Sequence, residues 1–326
     1  MNLLPSSVLW RQILKTNLTH WERLADFLEL SSEQRVRIDP NANFKLNIPL
    51  RLAKKIKKGD LNDPLLNQFL PKLQEKESRL AFVDDPTGDT FCQRTPKLLH
   101  KYHGRALLVC TSACAMHCRY CFRQNYPYEI SGHTFHAEID EIASDPTLSE
   151  IILSGGDPLS LSDKTLKNLF DRLSEIKHIR RIRIHTRFPI GIPERIDANF
   201  LKLLEGVNKQ IWFVIHSNHP TEFDSDIWDA LTKIRKLGIP ILNQSVLLQN
   251  VNDDIETLKS LCQQLVDHGI SPYYLHQLDR VKGTSHFEVP EEKGRLLIGE
   301  LRKQLSGYAI PLYVREISGE LSKTPL

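Results

Sequence analysis

Short apolar runs alternate with longer amphipathic stretches from Leu99 to the end of the chain. The apolar runs are residues 106–110, 151–153, 182–184, 211–215, 241–248, 273–275 and 312–314. Helical spacing of apolar residues marks stretches between them, above all 164–173, 223–237, 255–268 and 291–305. Strands that alternate with helices predict a parallel sheet with right-handed crossovers, arranged either as a barrel or as an open doubly wound sheet.

The chain before Leu99 has a different pattern, in which helical periodicity is interrupted by proline-containing loops. Apolar residues recur at helical spacing in two stretches: Val8, Trp10, Ile13 and Leu14, then Trp21, Leu24, Phe27 and Leu28. Ser31 and Gln34 have the spacing of a capping box, which marks the start of a helix. We therefore expect a helical N-terminal region over 1–98, a sheet-based domain over 99–310 and a C-terminal segment over 311–326.

The composition is that of an ordinary soluble protein, since 40% of the 326 residues are hydrophobic and 25% are charged. A net charge of +3 gives no overall attraction to nucleic acid or membranes. The basic run 51–58 fits a solvated helix face above buried Leu52 and Ile56, which we favour over an RNA contact. No apolar stretch approaches the ~20 residues of a membrane helix, and the first residues do not form an export signal, so we expect a cytoplasmic protein.

The strongest chemical signal is a cysteine triplet, Cys114-Ala-Met-His-Cys118-Arg-Tyr-Cys121, directly after the first apolar run. This spacing suits three irons of a four-iron cluster and leaves the fourth iron open to a substrate or cofactor. Zinc remains the alternative, with His117 as a possible fourth ligand, although zinc sites usually carry two separated pairs. We interpret the other cysteines as structural: Cys92, Cys110 and Cys262.

Polar clusters also follow the next three predicted strands. They are Ser154-Gly155-Gly156-Asp157, His185-Thr186-Arg187 and His216-Ser217-Asn218-His219. Ligand sites in parallel α/β folds lie beyond the strand ends, so these clusters are candidates for one site. A plain β-turn explains the glycine pair equally simply, and a satisfied core histidine explains His185. The 216–219 cluster is more typical of a lined pocket.

These motifs together resemble the lysine 2,3-aminomutase family of radical S-adenosylmethionine (SAM) enzymes that use pyridoxal 5′-phosphate (PLP). The cysteine spacing is that of the radical SAM motif, and the resemblance extends in order over 62–64, 100–105, 114–121, 154–157, 186–187, 216–220, 243–248, 251–253 and 322–325. It implies an α/β fold, a partial (β/α)6 TIM-like barrel over 99–310, with the PLP lysine in 311–326. The short C-terminal tail is similar to the subgroup that supplies β-lysine for elongation factor P.

The resemblance also implies the residues that bind each cofactor. Cys114, Cys118 and Cys121 would hold a 4Fe-4S cluster whose open iron chelates SAM. Lys323 would form the internal aldimine with PLP. The remaining cofactor-binding residues implied in this way are Gly155, Gly156 and Asp157 for SAM, Tyr102 and Arg105 around PLP, and Thr186, Arg187 and Gln244.

For the substrate, the resemblance implies that Arg123 pairs with the carboxylate of L-lysine, and that Asp279 and Glu316 hold its distal ammonium. Glu316 stands where the family has an aspartate. The implied reaction removes a hydrogen from C3 with a 5′-deoxyadenosyl radical and moves the amino group from C2 to C3 through a PLP aldimine. The implied partners are an electron donor, elongation factor P and its lysyl ligase, with no membrane or nucleic acid.

Other functions remain open at this point. Each charged residue named above could instead form an ordinary surface ion pair, and Lys323 could lie in a solvated tail. The chain could be a radical SAM enzyme that modifies RNA, or an iron-sulfur or zinc module without catalytic activity. It could also be an aminomutase for glutamate or arginine, although Asp279 with Glu316 would repel the side chain of glutamate.

Overall fold

The computed structural model describes residues 6–128 and 134–326. Its N-terminal part consists of short helices joined by loops: α1 (Ser6–Leu14), α2 (Trp21–Phe27), α3 (Ser32–Arg35), α4 (Leu50–Ala53) and α5 (Pro64–Asn67). The capping box is confirmed, because the Ser31 side chain accepts from the Gln34 backbone N–H and the Gln34 side chain accepts from Ser31. Asp63 caps α5 by accepting from the backbone N–H groups of Leu65 and Leu66, with Pro64 at the first helical position.

In the described residues, one ten-stranded sheet forms the centre of the remaining part of the protein. Its strands are β1 (Gln93–Thr95), β2 (Leu98–Tyr102), β3 (Arg105–Thr111), β4 (Glu150–Gly155), β5 (Arg181–Thr186), β6 (Gln210–His216), β7 (Ile241–Val246), β8 (Ser271–His276), β9 (Leu312–Arg315) and β10 (Thr324–Pro325). Strands β3 to β9 pair in parallel in chain order. The antiparallel strands β1, β2 and β10 extend the two ends. The α/β fold class with a partial barrel is therefore confirmed.

Helices cross over between consecutive parallel strands: α6 (His136–Ser144), α7 (Asp163–Glu175), α8 (Phe188–Gly191), α9 (Ala198–Glu205), α10 (Ser225–Lys236), α11 (Ile255–Asp267) and α12 (Glu291–Gln304). Several begin at a side chain that accepts a backbone N–H, namely Ser162, Asp197, Asp224 and Asp254. Short 3-10 turns lie at 73–76, 89–92, 158–160, 193–195, 220–222, 285–287 and 307–309. Throughout the two described stretches, each helix is too short or too polar to cross a bilayer.

The N-terminal helices pack directly on the barrel. One apolar core contains Trp10 and Leu24 from these helices together with Ile184 and Phe213 from the sheet. This core is continuous across Leu99, so packing does not separate the N-terminal region from the sheet-based domain. The division of the chain at Leu99 stays a prediction.

The basic run 51–58 also contacts the barrel. Leu52 and Ile56 are buried, as predicted. Arg51 pairs with Glu194 at 2.8 Å and with Asp224 at 3.1 Å, and Lys55 pairs with Asp224 at 2.8 Å. The helix here covers only Leu50–Ala53. Some charged side chains of the run 51–58 face solvent, whereas Arg51 and Lys55 hold the N-terminal region on the barrel.

A glycine turn after β4 lies against the loop that follows β3. Gly155 has a φ of +108°, which side chains rarely adopt. The backbone N–H groups of Gly156 and Asp157 donate to the carbonyls of Thr111 and Ala113 at 2.6 and 2.8 Å. The turn after β4 thus sets the position of the segment that carries the cysteines.

Substitution of Gly156 by Ala should destabilise the protein. A Cβ at this position would lie 2.4 Å from the carbonyl oxygen of Ala113, so backbone has to move, at a cost of about 1–3 kcal/mol. Gly299→Ala is the matched control, since its Cβ would meet nothing within 4 Å inside helix α12, and we expect a gain of about 0.5–1 kcal/mol. Thermal unfolding midpoints measure both effects. A midpoint for Gly156→Ala at or above that of the parent would contradict this account.

Candidate active site

The inside of the barrel is polar at many positions. Strand β4 presents Glu150, Ile152 and Ser154 to the interior, and β5 presents Arg181, Arg183 and His185. Barrel interiors are ordinarily filled by layers of branched apolar side chains. Here the interior instead encloses a cavity of about 900 Å³, which is large enough for more than one small molecule.

This cavity brings together every residue to which the family resemblance gave a cofactor-binding or substrate-binding role. The residues that line it include Tyr102, Arg105, Cys114, Cys118, Cys121, Arg123, Gly155, Gly156, Asp157, Thr186, Arg187, Gln244, Asp279, Glu316 and Lys323. They come from strands, strand-end loops and the C-terminal segment, which lie far apart in the sequence. The role of each residue remains a prediction, but their common location is a property of the fold.

The cysteine loop, defined here as residues 112–123, is held from behind by the N-terminal region. The Asn47 side chain donates to the carbonyl of Cys114 at 3.3 Å, and Asn17 donates to that of Ala115 at 2.8 Å. The backbone N–H of His117 donates to the carbonyl of Asn47 at 2.9 Å. His117 Nδ1 lies 2.8 Å from the carbonyl of Lys45. One nitrogen of this imidazole is therefore used within the protein.

Arg119 fixes the middle of the cysteine loop. Only 1% of this residue is exposed, and its guanidinium pairs with Glu75, with Nε 2.8 Å from Oε1. The same guanidinium donates to the carbonyl of Phe44 at 2.5 Å, and the Arg119 backbone N–H donates to the carbonyl of Gln68 at 2.9 Å. Separating the pair would leave an unpaired buried charge, which is costly. The pair therefore keeps the loop in one orientation.

The three cysteines of the loop are free thiols and are partly buried. Burial raises the pKa of Cys121 to about 11, with the nearby Cys118 adding to the shift, and burial likewise raises the pKa of Cys114. Iron would bind the thiolates and release these protons. No three His, Cys, Asp or Glu side chains of the described residues are arranged around a single ion. In a four-iron cluster each thiolate binds a different iron, so the sulfurs need not converge on one point.

Asp157 is fully engaged within the protein. Its carboxylate accepts from the Thr186 hydroxyl at 2.7 Å and from the backbone N–H groups of Leu159, Arg187 and Phe188 at 2.8–3.0 Å. Burial raises its pKa, although these hydrogen bonds oppose the shift. Asp157 and Thr186 therefore join the turn after β4 to the end of β5.

A continuous series of ion pairs, the ion-pair chain, links the cysteine loop to the C-terminal segment. Arg123 Nε lies 2.8 Å from Asp89, and Lys101 Nζ lies 2.9 Å from the same carboxylate. Lys101 also contacts Glu316 at 3.2 Å, and Lys323 Nζ lies 2.5 Å from Glu316. Burial disfavours ionisation of both acids, but Arg123 with Lys101 at Asp89, and Lys323 with Lys101 at Glu316, hold each pKa below its ordinary value.

Asp279 is the acid of the cavity that lacks a direct partner. Its carboxylate forms no ion pair or hydrogen bond with the residues that the structure describes. Burial raises the pKa of Asp279 to about 7; Lys323 opposes the shift, and Glu316 and Asp89 add to it. A cationic ligand group beside Asp279 would restore the favourable charge balance of this carboxylate.

Two of the histidines named from the sequence, His185 and His216, line the cavity, and His219 does not. His185 lines the cavity, and its Nε2 is buried without a hydrogen-bond partner, so it is not a satisfied core histidine. Burial, together with Arg183 beside it, holds the His185 pKa well below its ordinary value. His216 also lines the cavity and lies 3.0 Å from the hydroxyl of Tyr120. His219 lies behind the wall and accepts from the Thr221 backbone N–H, so the pocket expected at 216–219 is formed by His216 alone.

Sequence reasoning missed several polar residues of the site, namely Asp89, Lys101, Arg183 and His276. A signal for part of them exists in strand β5. Parallel strands covered on both faces usually form continuous hydrophobic runs, whereas 181–186 alternates polar and apolar residues. Asp89 has no comparable signal, because it lies in a 3-10 turn outside the sheet and its partners are distant in sequence.

Comparisons with known proteins indicate the superfamily and the family of this chain. The Radical SAM superfamily matches residues 108–262, a stretch that contains the cysteine loop and strands β4 to β7. Membership of this superfamily implies a 4Fe-4S cluster and SAM. Among solved structures, Streptococcus suis SuiB bound to S-adenosylmethionine matches 66% of this chain and 51% of its own, with 14% identity and a TM-score of 0.48. That likeness is too distant to bear on function.

Two curated relatives match nearly the whole chain. The L-lysine 2,3-aminomutase of Escherichia coli (strain K12) is 41% identical over 327 residues, which cover 99% of this chain and 95% of that protein. The L-lysine 2,3-aminomutase of Clostridium subterminale is 32% identical over 322 residues, covering 97% of this chain and 77% of that protein. The chain therefore belongs to the L-lysine 2,3-aminomutase family of radical SAM isomerases.

Proposed function

We propose that this protein converts L-lysine to β-lysine by moving the α-amino group to the neighbouring carbon, with PLP as its second cofactor. One observation carries the proposal: the ion-pair chain runs along the cavity from Arg123, next to the cysteines, to Lys323. When bound, the cluster and SAM would supply a carbon radical able to take hydrogen from the unactivated C3 of lysine, and PLP would carry the migrating nitrogen.

The residues of the cavity fit these cofactors. Gly155 and Gly156 line the cavity, and their backbone would contact SAM. Arg105 stacks on the Tyr102 ring at 4.6 Å and pairs with no carboxylate in the described residues, so its guanidinium is free for a phosphate. Lys323 would attach PLP covalently, Gln244 would contact the cofactors, and Arg187 would act close to the cluster. Asp157 and Thr186 would position the SAM turn from behind rather than touch SAM.

The charges of the cavity also fit both ends of lysine. Arg123 uses one donor on Asp89 and one on Ser154, and a guanidinium has further donors for a substrate carboxylate. Asp279 has no direct partner among the residues that the structure describes, and Glu316 would exchange Lys323 for the distal ammonium once Lys323 carries PLP. Two acids at this end disfavour glutamate as the substrate. Fixing lysine at both ends would present C3, rather than another carbon, for hydrogen removal.

We also propose a cytoplasmic setting, an external electron donor, and delivery of β-lysine to elongation factor P by a lysyl ligase. Free thiols at all six cysteines suit a reducing compartment. The link to elongation factor P is supported by the sequence resemblance alone. The RNA-modifying alternative loses its main support, because Arg51 and Lys55 of the basic run are paired with carboxylates of the barrel.

Anaerobically reconstituted protein given SAM, PLP, a reductant and L-lysine should form β-lysine together with 5′-deoxyadenosine. Chromatography with mass detection measures both products, and L-glutamate and L-arginine serve as comparison substrates. Accumulation of 5′-deoxyadenosine without β-lysine would contradict lysine as the substrate. Conversion of either comparison substrate at a higher kcat/KM than lysine would replace it.

Lys323→Ala should abolish both the absorbance of protein-bound PLP and the formation of β-lysine. Lys101→Arg is the matched control, because arginine keeps the charge between Asp89 and Glu316 but cannot attach PLP. In the parent protein, burial lowers the pKa of Lys101, but Asp89 and Glu316 outweigh burial, raise this pKa and keep Lys101 an ammonium ion. Lys101 is therefore not expected to attach PLP, and the control should retain the bound cofactor. The assignment of Lys323 would be wrong if Lys323→Ala kept the PLP spectrum while Lys101→Arg lost it.

The affinity for L-lysine should decline below pH 7. Asp279 has a pKa of about 7 and binds the distal ammonium only when ionised, so KM should rise toward tenfold for each pH unit below that value. Asp279→Asn removes the titrating group, and its KM should be high and nearly independent of pH over the same range. A wild-type KM that stays constant from about pH 8 to about pH 6 would exclude Asp279 from ammonium binding.

A further inference from the structure

A buried cluster of polar side chains lies directly behind Cys118, and we call it the Arg187 network. Its members come from the C-terminal end of α5, the cysteine loop, the residue after β5, and the end of β6 with the segment that follows it: Gln68, Tyr120, Arg187, His216, Asn218 and Glu222. The centre of the network is the guanidinium of Arg187, of which only 7% is exposed. None of these side chains is a predicted cluster ligand, but the network contacts one such ligand, Cys118.

Arg187 donates directly to a predicted cluster ligand. Its Nη1 lies 2.8 Å from Sγ of Cys118 and also contacts the Tyr120 hydroxyl. Its Nη2 donates to Glu222 at 2.8 Å and to Gln68 at 2.7 Å. The sulfur of Cys121 has a hydrogen bond with the backbone of Arg123, but no side chain in the described residues donates to Cys114 or Cys121, so Cys118 differs from the other two ligands in its contact with a charged donor.

Glu222 holds this guanidinium in place and is completely buried. One carboxylate oxygen accepts from the backbone N–H groups of Asn218 and His219 at 2.8 and 3.0 Å, which leaves the other oxygen for Arg187. The pair therefore presents the positive end of a fixed dipole to Cys118. Buried charges interact strongly because little solvent screens them.

This geometry has a definite effect on an iron-sulfur cluster. Reduction adds one electron, taken from an external reductant, and no bond to Arg187 forms or breaks. Hydrogen bonds to the ligand sulfurs and nearby positive charge stabilise the added negative charge and raise the reduction potential. We propose that Arg187 is a positioning residue that raises the midpoint potential of the cluster through Cys118, and that Glu222 limits this effect by balancing its charge. The inference rests on the cluster of the proposed function, but on neither PLP nor lysine.

Two substitutions should shift the midpoint potential in opposite directions. Arg187→Met removes the donor and the charge, and we expect the equilibrium constant for reduction to fall at least tenfold, which is about 59 mV for one electron. Glu222→Gln keeps the shape of the side chain but removes the balancing charge, so its potential should rise. Simple damage to the fold would move both variants the same way. Redox titration with dithionite, followed by electron paramagnetic resonance, measures the potentials in reconstituted protein.

Arg195→Met is the matched control. Arg195 is also buried, pairs with Asp163 at 2.8 Å and donates to the carbonyl of Leu159 at 2.8 Å, but it forms no hydrogen bond with a cysteine of the described residues. Its loss should lower the thermal midpoint and leave the cluster potential at the parent value.

The inference is overturned if Arg187→Met carries a full cluster at the parent potential. Where Arg187→Met binds no cluster, Glu222→Gln decides, and a potential at or below that of the parent overturns the proposal. A parent protein that binds no iron and sulfide would end both this inference and the proposed function. A cluster with the expected shifts but no β-lysine formation would leave this inference standing and remove the proposed substrate alone.

Discussion

Charged side chains inside a barrel are stable only when other charges balance them, and the ion-pair chain meets that requirement here. Asp89 balances Arg123 and Lys101, while Glu316 balances Lys101 and Lys323. The same contacts fix the distance between the cysteine loop and the C-terminal segment. A polar cavity can therefore exist at the centre of a fold whose interior is usually apolar, with the cysteine loop and Lys323 in defined places.

Much of the fold follows from local patterns in the sequence. The apolar runs coincide with strands β3 to β9, and the stretches 164–173 and 255–268 coincide with α7 and α11. The capping box at Ser31 was also predictable, because it needs only neighbouring residues. Local patterns determine these elements, whereas the continuous core that joins the N-terminal helices to the barrel depends on contacts between distant residues.

The candidate site was predictable to a smaller extent. The cysteine spacing carries its own chemical meaning, but Lys323 was indicated by the resemblance to a family and not by its position near the chain end. Asp157 lies in a glycine turn of the kind that contacts ligands, yet its carboxylate accepts hydrogen bonds from the Thr186 hydroxyl and from backbone N–H groups. Asp89 could not be found from the sequence, since its importance comes from Lys101 and Arg123, which only the folded chain brings to it.

The proposed function requires that the 5′-deoxyadenosyl radical remove a hydrogen atom from C3 of lysine within this cavity. The most direct measurement is the fate of deuterium in reactions with L-lysine that is deuterated at C3. Mass spectrometry should find the label in 5′-deoxyadenosine and in the β-lysine product. Formation of 5′-deoxyadenosine that contains no deuterium, in the presence of saturating labelled lysine, would contradict the account.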